Sequence, residues 1–391
     1  MFETLTREAD DPLLALTPLF KADPNPAKVD LGVGVYRDEL GRTPVFRAVK
    51  RAEARLLETQ ETKAYVGPEG DRAFIDAFWT FVAGEGRNAA GVQTVGGTGA
   101  LRLAAELLRR SGSSRIFLGT PTWSNHSAIF QAAGLSVVTY PLFDIASQRL
   151  LAGQMMSTLA DRAQPGDAVL LHASCHNPTG AVMDDATWAA VAEMILRKGL
   201  VPLIDSAYQG FGTGIESDAA PLRRLLDQVP EAIVAASASK SFGLYRERTG
   251  AVYATSPSPA TRDKLKSHLV TIGRGAYSMP PDHGAAVVRT ILTDPDLGED
   301  WRTELDEARQ RIIAMRAVLA EGLSPLSPAL AAIATQQGMF SLLPLDEARI
   351  SELRQRSGIY MPLSGRINIA GLNSSQAPGV IAALRAHAAL G

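Results

Sequence analysis

The strongest constraint on this chain is a rhythm in its middle: short, nearly continuous apolar runs separated by stretches with helical patterning. The runs are residues 115–119 (RIFLG), 135–142 (LSVVTYPL), 168–174 (AVLLHAS), 200–205 (LVPLID), 232–237 (AIVAAS) and 249–256 (TGAVYATS). Their lengths suit buried strands. Between two of them, residues 185–198 read as a helix, with Gly199 placed to stop it. Alternation of this kind predicts an α/β domain with a mainly parallel sheet. Ligands of such sheets bind beyond the carboxyl ends of the strands, so the chemistry is expected just after each run.

The rhythm stops near Trp301. Trp301, Leu305, Ala308, Ile312, Met315 and Leu319 recur every three or four positions, which predicts one apolar face of a long helix with Gly322 as its stop. The remainder reads as a shorter α+β region, and the first 45 residues also lie outside the rhythm. The division expected is a large domain over 46–305 and a small domain formed by 1–45 and 306–391. With 46% hydrophobic and 20% charged residues in 391, the chain is long and apolar enough to bury a large core, which excludes disorder. A formal net charge of −2 offers no electrostatic support for binding nucleic acid. Cys175 is the sole cysteine, so no disulfide can form within the chain. The opening MFETLTREADD lacks an apolar signal core, and no apolar run has the length of a membrane span. A cytoplasmic protein is expected.

Several constellations carry possible chemistry. Gly96-Gly97-Thr98-Gly99 precedes an amphipathic helical stretch. Free N–H groups at a helix start, with the Thr98 hydroxyl, would suit a phosphate; the alternative is a turn that only redirects the chain. It is not a dinucleotide fingerprint, because Arg102 occupies the last glycine position, and no GxxxxGK[ST] loop occurs. Lys240 lies in Ser237-Ala238-Ser239-Lys240-Ser241-Phe242-Gly243, directly after an apolar run. It is either a Schiff-base lysine, with Arg248 nearby to neutralise a phosphate, or a solvated lysine at a strand end. Asp205 closes another run and needs a partner there, such as a pyridinium nitrogen, unless it simply caps a helix; Tyr208 follows three residues on. His172, Cys175 and His176 lack a fourth ligand at metal spacing, so no metal is expected and Cys175 reads as a packed core residue. Asn177-Pro178 marks a turn open to a cis peptide. Arg274, between two glycines, and Arg366, at a predicted strand start, are candidates for clamping carboxylates with paired hydrogen bonds.

In order along the chain, these pieces resemble the pyridoxal-phosphate-dependent aminotransferases of the aspartate and aromatic amino acid group, most closely the bacterial aromatic enzymes. The resemblance runs nearly end to end: LGVGVYRDELGRTP at 31–44, TKAYVG at 62–67, GGTGALR at 96–102, PTWSNH at 121–126, CHNPTG at 175–180, DSAYQGF at 205–211, SASKSFGLYRERTG at 237–250, YSMPPDHGA at 277–285, GMFS at 338–341 and SGRINIAGLN at 364–373. It implies a fold type I enzyme: a large domain with a mainly parallel seven-stranded sheet flanked by helices, and a smaller α+β domain from both chain ends. It implies that Lys240 forms the internal aldimine of a ping-pong reaction and moves the proton at the substrate Cα. Asp205 would pair with the pyridinium nitrogen, supported by His126. Asn177 and Tyr208 would bond the ring oxygen, and Trp123 would stack on the ring. Gly97, Thr98, Ser237 and Arg248 would hold the phosphate. Arg366 would clamp the α-carboxylate with Asn177 and the Gly34 backbone. Tyr65 and Arg274 would reach in from the other subunit of a homodimer, Tyr65 to the phosphate and Arg274 to a distal carboxylate. The N-terminal arm would contact that subunit too.

Two positions depart from aspartate-selective members. Met279 and Ala64 stand where many of those carry asparagine, which implies tolerance of aromatic side chains beside dicarboxylates. Transamination of phenylalanine, tyrosine and aspartate with 2-oxoglutarate is therefore expected. The alternatives are a strictly aspartate-selective enzyme, a β-lyase or decarboxylase on the same fold, and a relative that binds cofactor without turnover. Ser237-Ala238-Ser239-Lys240 is literally S-x-x-K, but the S-D-N element of penicillin-interacting serine enzymes is missing.

Overall fold

The computed structural model describes residues 2–7, 13 and 15–387. Met1, 8–12, 14 and 388–391, parts of the segments assigned to the small domain, lie outside the described residues. Seven strands form the central sheet: β1 (Ala90–Val95), β2 (Arg115–Thr120), β3 (Ser136–Pro141), β4 (Ala168–His172), β5 (Val201–Ser206), β6 (Ala232–Ser237) and β7 (Thr249–Thr255). Their spatial order is β1-β7-β6-β5-β4-β2-β3. β7 is antiparallel to both neighbours, and every other pairing is parallel.

Alternate residues of one strand enter different cores. Ile204, Val234 and Ala236 join one apolar cluster, whereas Leu203, Ile233 and Ala235 join another on the opposite face. Helices cover both faces, so apolar residues are favourable at every position of the inner strands. All six apolar runs are strands of this sheet. The seventh, β1, escaped that pattern because Gln93 and Thr94 interrupt it. Both are fully buried, and the Gln93 amide bridges Asp71 N–H and the Pro281 carbonyl.

Two local readings are corrected. Residues 135–142 are not a buried strand: β3 lies at the sheet edge, and of its six residues Tyr140 alone is buried. Gly322 does not stop the long helix, which runs Pro295–Leu323. A Cβ at Gly322 would lie 2.5 Å from Ile381 Cδ1, so the glycine lets the C-terminal helix Ala377–His387 approach closely. For the helix at 185–198 the reading holds to the residue. The helix Asp185–Lys198 is capped by the Asp184 carboxylate, which accepts from Thr187 N–H, and ends at Gly199 with φ +63°.

A third apolar cluster joins Val29 and Leu31 from the N-terminal side to Met315, Leu319, Leu353, Ile367 and Leu384. The strand pair Val29–Asp30 and Ile359–Tyr360 ties the two chain ends together. Among the described residues, no helix is long and apolar enough to cross a membrane.

Candidate active site

The sheet brings distant segments to one edge. Asp205 lies near the carboxyl end of β5, Asn177 follows β4, Trp123 follows β2, and Lys240 follows β6. Arg248 precedes β7, but that strand runs the other way, so its beginning lies at the same edge. The register pairs Thr249 with Val95 and Gly250 with Ser237. Arg248 is thereby set beside the Gly96 turn: a Cβ on Gly96 would stand 2.6 Å from Arg248 Nη2.

The glycine turn does open a helix, Gly96–Arg110. Gly96 sits at φ +65°, and a Cβ on Gly97 would lie 2.9 Å from Ser237 Cβ. The first backbone N–H groups of a helix have no intrahelical acceptors and carry its positive dipole end. Arg248, itself at φ +52°, donates to the Tyr245 carbonyl (2.9 Å) and Ser239 Oγ (3.3 Å). The helix start, with Arg248 against Gly96 and Ser237 against Gly97, offers groups that suit a dianion.

Asp205 caps no helix, because its strand continues to Ser206 and a loop follows. Its Oδ2 is 3.3 Å from His126 Nε2 and 4.0 Å from His172 Nε2. His126 Nδ1 lies 2.8 Å from the Thr122 hydroxyl. With Nε2–H donated to the carboxylate, Nδ1 accepts from Thr122. Burial alone would raise the Asp205 carboxyl; the hydrogen bond from His126 and the neighbouring histidines and Lys240 outweigh it and hold the group below its usual value. Burial lowers His172 to about 4, so that imidazole is neutral. His172 was set aside in the sequence as an unsupported metal ligand. It joins this cluster instead, and three ligand-type atoms of His126, His172 and Asp205 lie within 4.8 Å of one another. Cys175 is buried with its thiol 3.8 Å from the Tyr208 carbonyl, and His176 pairs with Thr179.

Lys240 is half-buried. Its Nζ lies 5.4 Å from the centre of the Tyr208 ring. Burial lowers its pKa to about 8; Asp205 opposes the shift, and Arg248 and Arg366 add to it. The amine is therefore a usable nucleophile and base near neutral pH. Tyr208 receives a hydrogen bond from Asn177 Nδ2 (3.1 Å), and the Asn177–Pro178 peptide is cis. Asn177 Oδ1 is buried without a hydrogen-bond partner among the described residues.

Arg366 begins a short strand, Arg366–Asn368, and is buried, donating to the Gly32 carbonyl at 2.6 Å. Its guanidinium carbon lies 4.5 Å from the Phe340 ring centre. Phe340 was not singled out in the sequence beyond its place in GMFS. Its ring also meets Tyr208 edge-on at 6.0 Å, and a Cβ on Gly34 would come within 3.1 Å of it. Trp123 is half-buried, with its ring edge-on to His126 at 5.2 Å. Thr98 lies in the first turn of the Gly96–Arg110 helix. Two expected site residues are not gathered into this cluster. Tyr65 is 87% exposed, and Arg274 is exposed in the last turn of Pro259–Tyr277, with its guanidinium on the Ser278 hydroxyl. A cavity of about 500 Å³ opens next to the cluster and shares His172 and His176 with it, but not Lys240, Arg248 or Arg366.

Known proteins resemble the chain over nearly its whole length. The chain is 59% identical over 380 residues to a tyrosine aminotransferase of Rhizobium meliloti, covering 96% of this chain and 97% of that one. It is 42% identical over 381 residues to the aspartate aminotransferase of Escherichia coli K12, covering 95% and 96%. The solved aromatic-amino-acid aminotransferase of Burkholderia pseudomallei, described as covalently bound to pyridoxal phosphate, superposes with a TM-score of 0.95 at 38% identity, covering 99% of both chains. The family described as aminotransferase class I and II matches residues 26–384. A half-buried lysine of lowered pKa, an aspartate held below its usual value and a buried arginine thus stand together in a chain that belongs to the class I and II aminotransferases.

Proposed function

We propose that this chain transfers the amino group of phenylalanine, tyrosine or aspartate to 2-oxoglutarate, giving the matching 2-oxo acid and L-glutamate, with pyridoxal phosphate as its cofactor. The observation that carries the reading is Lys240, half-buried with its Nζ 5.4 Å from the centre of the Tyr208 ring, its pKa lowered to about 8 by burial and by the charges of Arg248 and Arg366 against that of Asp205.

The residues fit that cofactor. A Cβ at Gly96 or Gly97 would crowd Arg248 or Ser237, so the glycines keep this corner open for a phosphate held by Gly97, Thr98, Ser237 and Arg248. Asn177 Oδ1 and the Tyr208 hydroxyl, both buried at the Lys240 end of the site, suit a ring oxygen. Asp205, kept ionised, suits a protonated ring nitrogen, and Trp123 supplies a face for stacking. When bound, pyridoxal phosphate supplies an electron sink for the pair released at the substrate Cα. The chain's own groups do the rest. Lys240 would accept the proton released at the substrate Cα. Arg366, with Asn177 and the Gly34 backbone, holds the α-carboxylate in paired hydrogen bonds and fixes the Cα–H bond toward Lys240. The unit built from both chain ends, 1–45 and 306–391, carries Arg366 and closes over the large unit 46–305, expelling water.

Exposed Tyr65 and Arg274 fit a homodimer in which each chain completes its partner's site. Arg274→Leu is expected to lower kcat/KM for aspartate roughly 100-fold, with phenylalanine little changed. Mixing Lys240→Ala chains with Arg274→Leu chains then restores aspartate turnover to about a quarter of wild type, because half the dimers carry one complete site. No recovery on mixing would place Arg274 in its own chain's site.

Half-buried Met279 and exposed Ala64 support acceptance of both substrate classes. The test is conversion of the bound cofactor to its amine form by L-aspartate or L-phenylalanine alone, without a 2-oxo acid. Fast conversion by both is expected. Conversion by aspartate alone would make the enzyme aspartate-selective and remove the argument from these two positions.

A further inference from the structure

Arg316 lies about two turns before the end of the helix Pro295–Leu323 and is 1% exposed. Among the described residues, no carboxylate appears among its hydrogen-bond partners. Instead, its guanidinium donates to the carbonyls of Gly338 (2.7 Å) and Phe340 (2.6 Å), and more distantly to those of Ile333 (3.2 Å) and Gln337 (3.1 Å). It also donates to Ser341 Oγ at 2.9 Å. Burial lowers its pKa to about 10, so it is still charged at neutral pH. A buried charge is costly unless its hydrogen bonds are all made, and converging carbonyl dipoles repel one another unless a cation sits among them. Each therefore stabilises the other, and together they set the path of residues 337–341.

That path matters because of what it carries. Phe340 presents its ring to Arg366 at 4.5 Å and to Tyr208 at 6.0 Å. The same segment is fastened to the loop that holds Asn177. Gln337 N–H donates to the Gly180 carbonyl at 2.8 Å, and a Cβ on Gly180 would lie 2.7 Å from the Phe340 carbonyl and 3.0 Å from Arg316 Nη2. The Ser341 hydroxyl continues the chain of bonds to Gln336 Oε1 (2.5 Å), whose amide donates to Gln148 Oε1 (2.8 Å).

We infer that Arg316 is a positioning residue for the substrate carboxylate: it holds the 337–341 segment so that Phe340 backs the Arg366 guanidinium and aligns it with Asn177. The inference rests on the proposed function for the role of Arg366. It acts on binding of the α-carboxylate, which both substrate classes share, and leaves the proton transfer at Lys240 untouched.

The test uses holoenzyme of Arg316→Lys, Arg316→Met and Phe340→Leu, with active sites counted by the cofactor fixed on reduction with borohydride. Lysine offers three donors where the guanidinium offers five, so Arg316→Lys should be the milder variant. KM for aspartate and phenylalanine is expected to rise together, about tenfold for Arg316→Met, with kcat per counted site within about twofold of wild type. The dissociation constant of 3-phenylpropionate, which has no amine to react, should rise in parallel, and Phe340→Leu should copy the pattern. Wild-type KM and wild-type 3-phenylpropionate binding, with loss only of melting temperature or of site count, would overturn the inference and leave Arg316 a purely structural residue. If Arg316→Met does not accumulate, Arg316→Lys and Phe340→Leu carry the comparison. Absence of amine transfer in the wild type would instead defeat the proposed function, and 3-phenylpropionate binding would still decide whether Arg316 acts on a carboxylate site.

Discussion

Lys240→Ala is expected to lower kcat for both aspartate and phenylalanine by at least about 10⁴-fold, since it removes nucleophile and proton carrier together. Lys240→Arg should be as inactive, although it keeps the charge, because a guanidinium neither gives up its proton near neutral pH nor attacks a carbonyl. The pair separates proton transfer from electrostatics. The amine also predicts a pH profile. Its pKa is lowered to about 8, chiefly by burial, with Arg248 and Arg366 adding to the shift and Asp205 opposing it. Only the neutral amine attacks an aldehyde. In the cofactor-free chain, capture of an aldehyde trapped by borohydride should therefore rise about tenfold per pH unit up to roughly pH 8 and level off above it. An exposed lysine would go on rising to beyond pH 10. A Lys240→Ala variant with more than a few per cent of wild-type turnover, or trapping on another lysine, would remove Lys240 from the centre of the mechanism.

The second large effect is expected at Asp205. Asp205→Asn keeps the volume and can still accept from His126, but it removes a buried charge. Breaking a buried charge pair costs about 3–5 kcal/mol, which as a barrier change is about 10²–10⁴-fold in kcat. The loss should fall on kcat more than on KM, because the carboxylate serves the reacting ring and not the substrate carboxylate. The sign of the pH dependence follows from the lowered pKa of Asp205. A carboxyl held below its usual value is ionised throughout the neutral range, so the ratio of wild-type to variant activity should be flat from pH 6 to 9. Its contribution to folding is present at neutral pH and is lost as pH falls through the lowered value. Asp205→Asn turnover close to wild type, with full cofactor occupancy, would mean that Asp205 serves only to orient His126.

Much of the architecture was legible before any coordinates, and the reason is visible in particular segments. The helix Asp185–Lys198 carries its own punctuation, a capping aspartate before it and a glycine after it, and both act over a few residues. The apolar runs other than 135–142 are strands that helices cover, and covered strands need apolar residues on both faces. β1 was invisible to that rule, since Gln93 satisfies its buried amide through partners far away in sequence and Thr94 bonds the Gly96 carbonyl. Residues 135–142 misled in the opposite direction. An edge strand of Val, Thr and Tyr has the composition of an inner one, and nothing local says which edge it will occupy. Gly322 looked like a helix stop because the close approach of Ile381 that makes it necessary is not encoded nearby.

The candidate site divides in the same way. The sequence alone determined the identity and order of the chemical groups: a lysine and an aspartate just past apolar strands, a glycine turn before an amphipathic helix, and arginines in unusual settings. Those are properties of periodicity, capping and turn chemistry, which act within one element. Only the tertiary structure decided that Arg248 stands beside Gly96, because that depends on β7 running against its neighbours. It also decided that His172 joins His126 beside Asp205, and that Phe340, held through Arg316, lies under Arg366. Strand register and the pairing of buried polar groups are settled by contacts between segments tens to hundreds of residues apart. Their energies appear only once water has been excluded from between them.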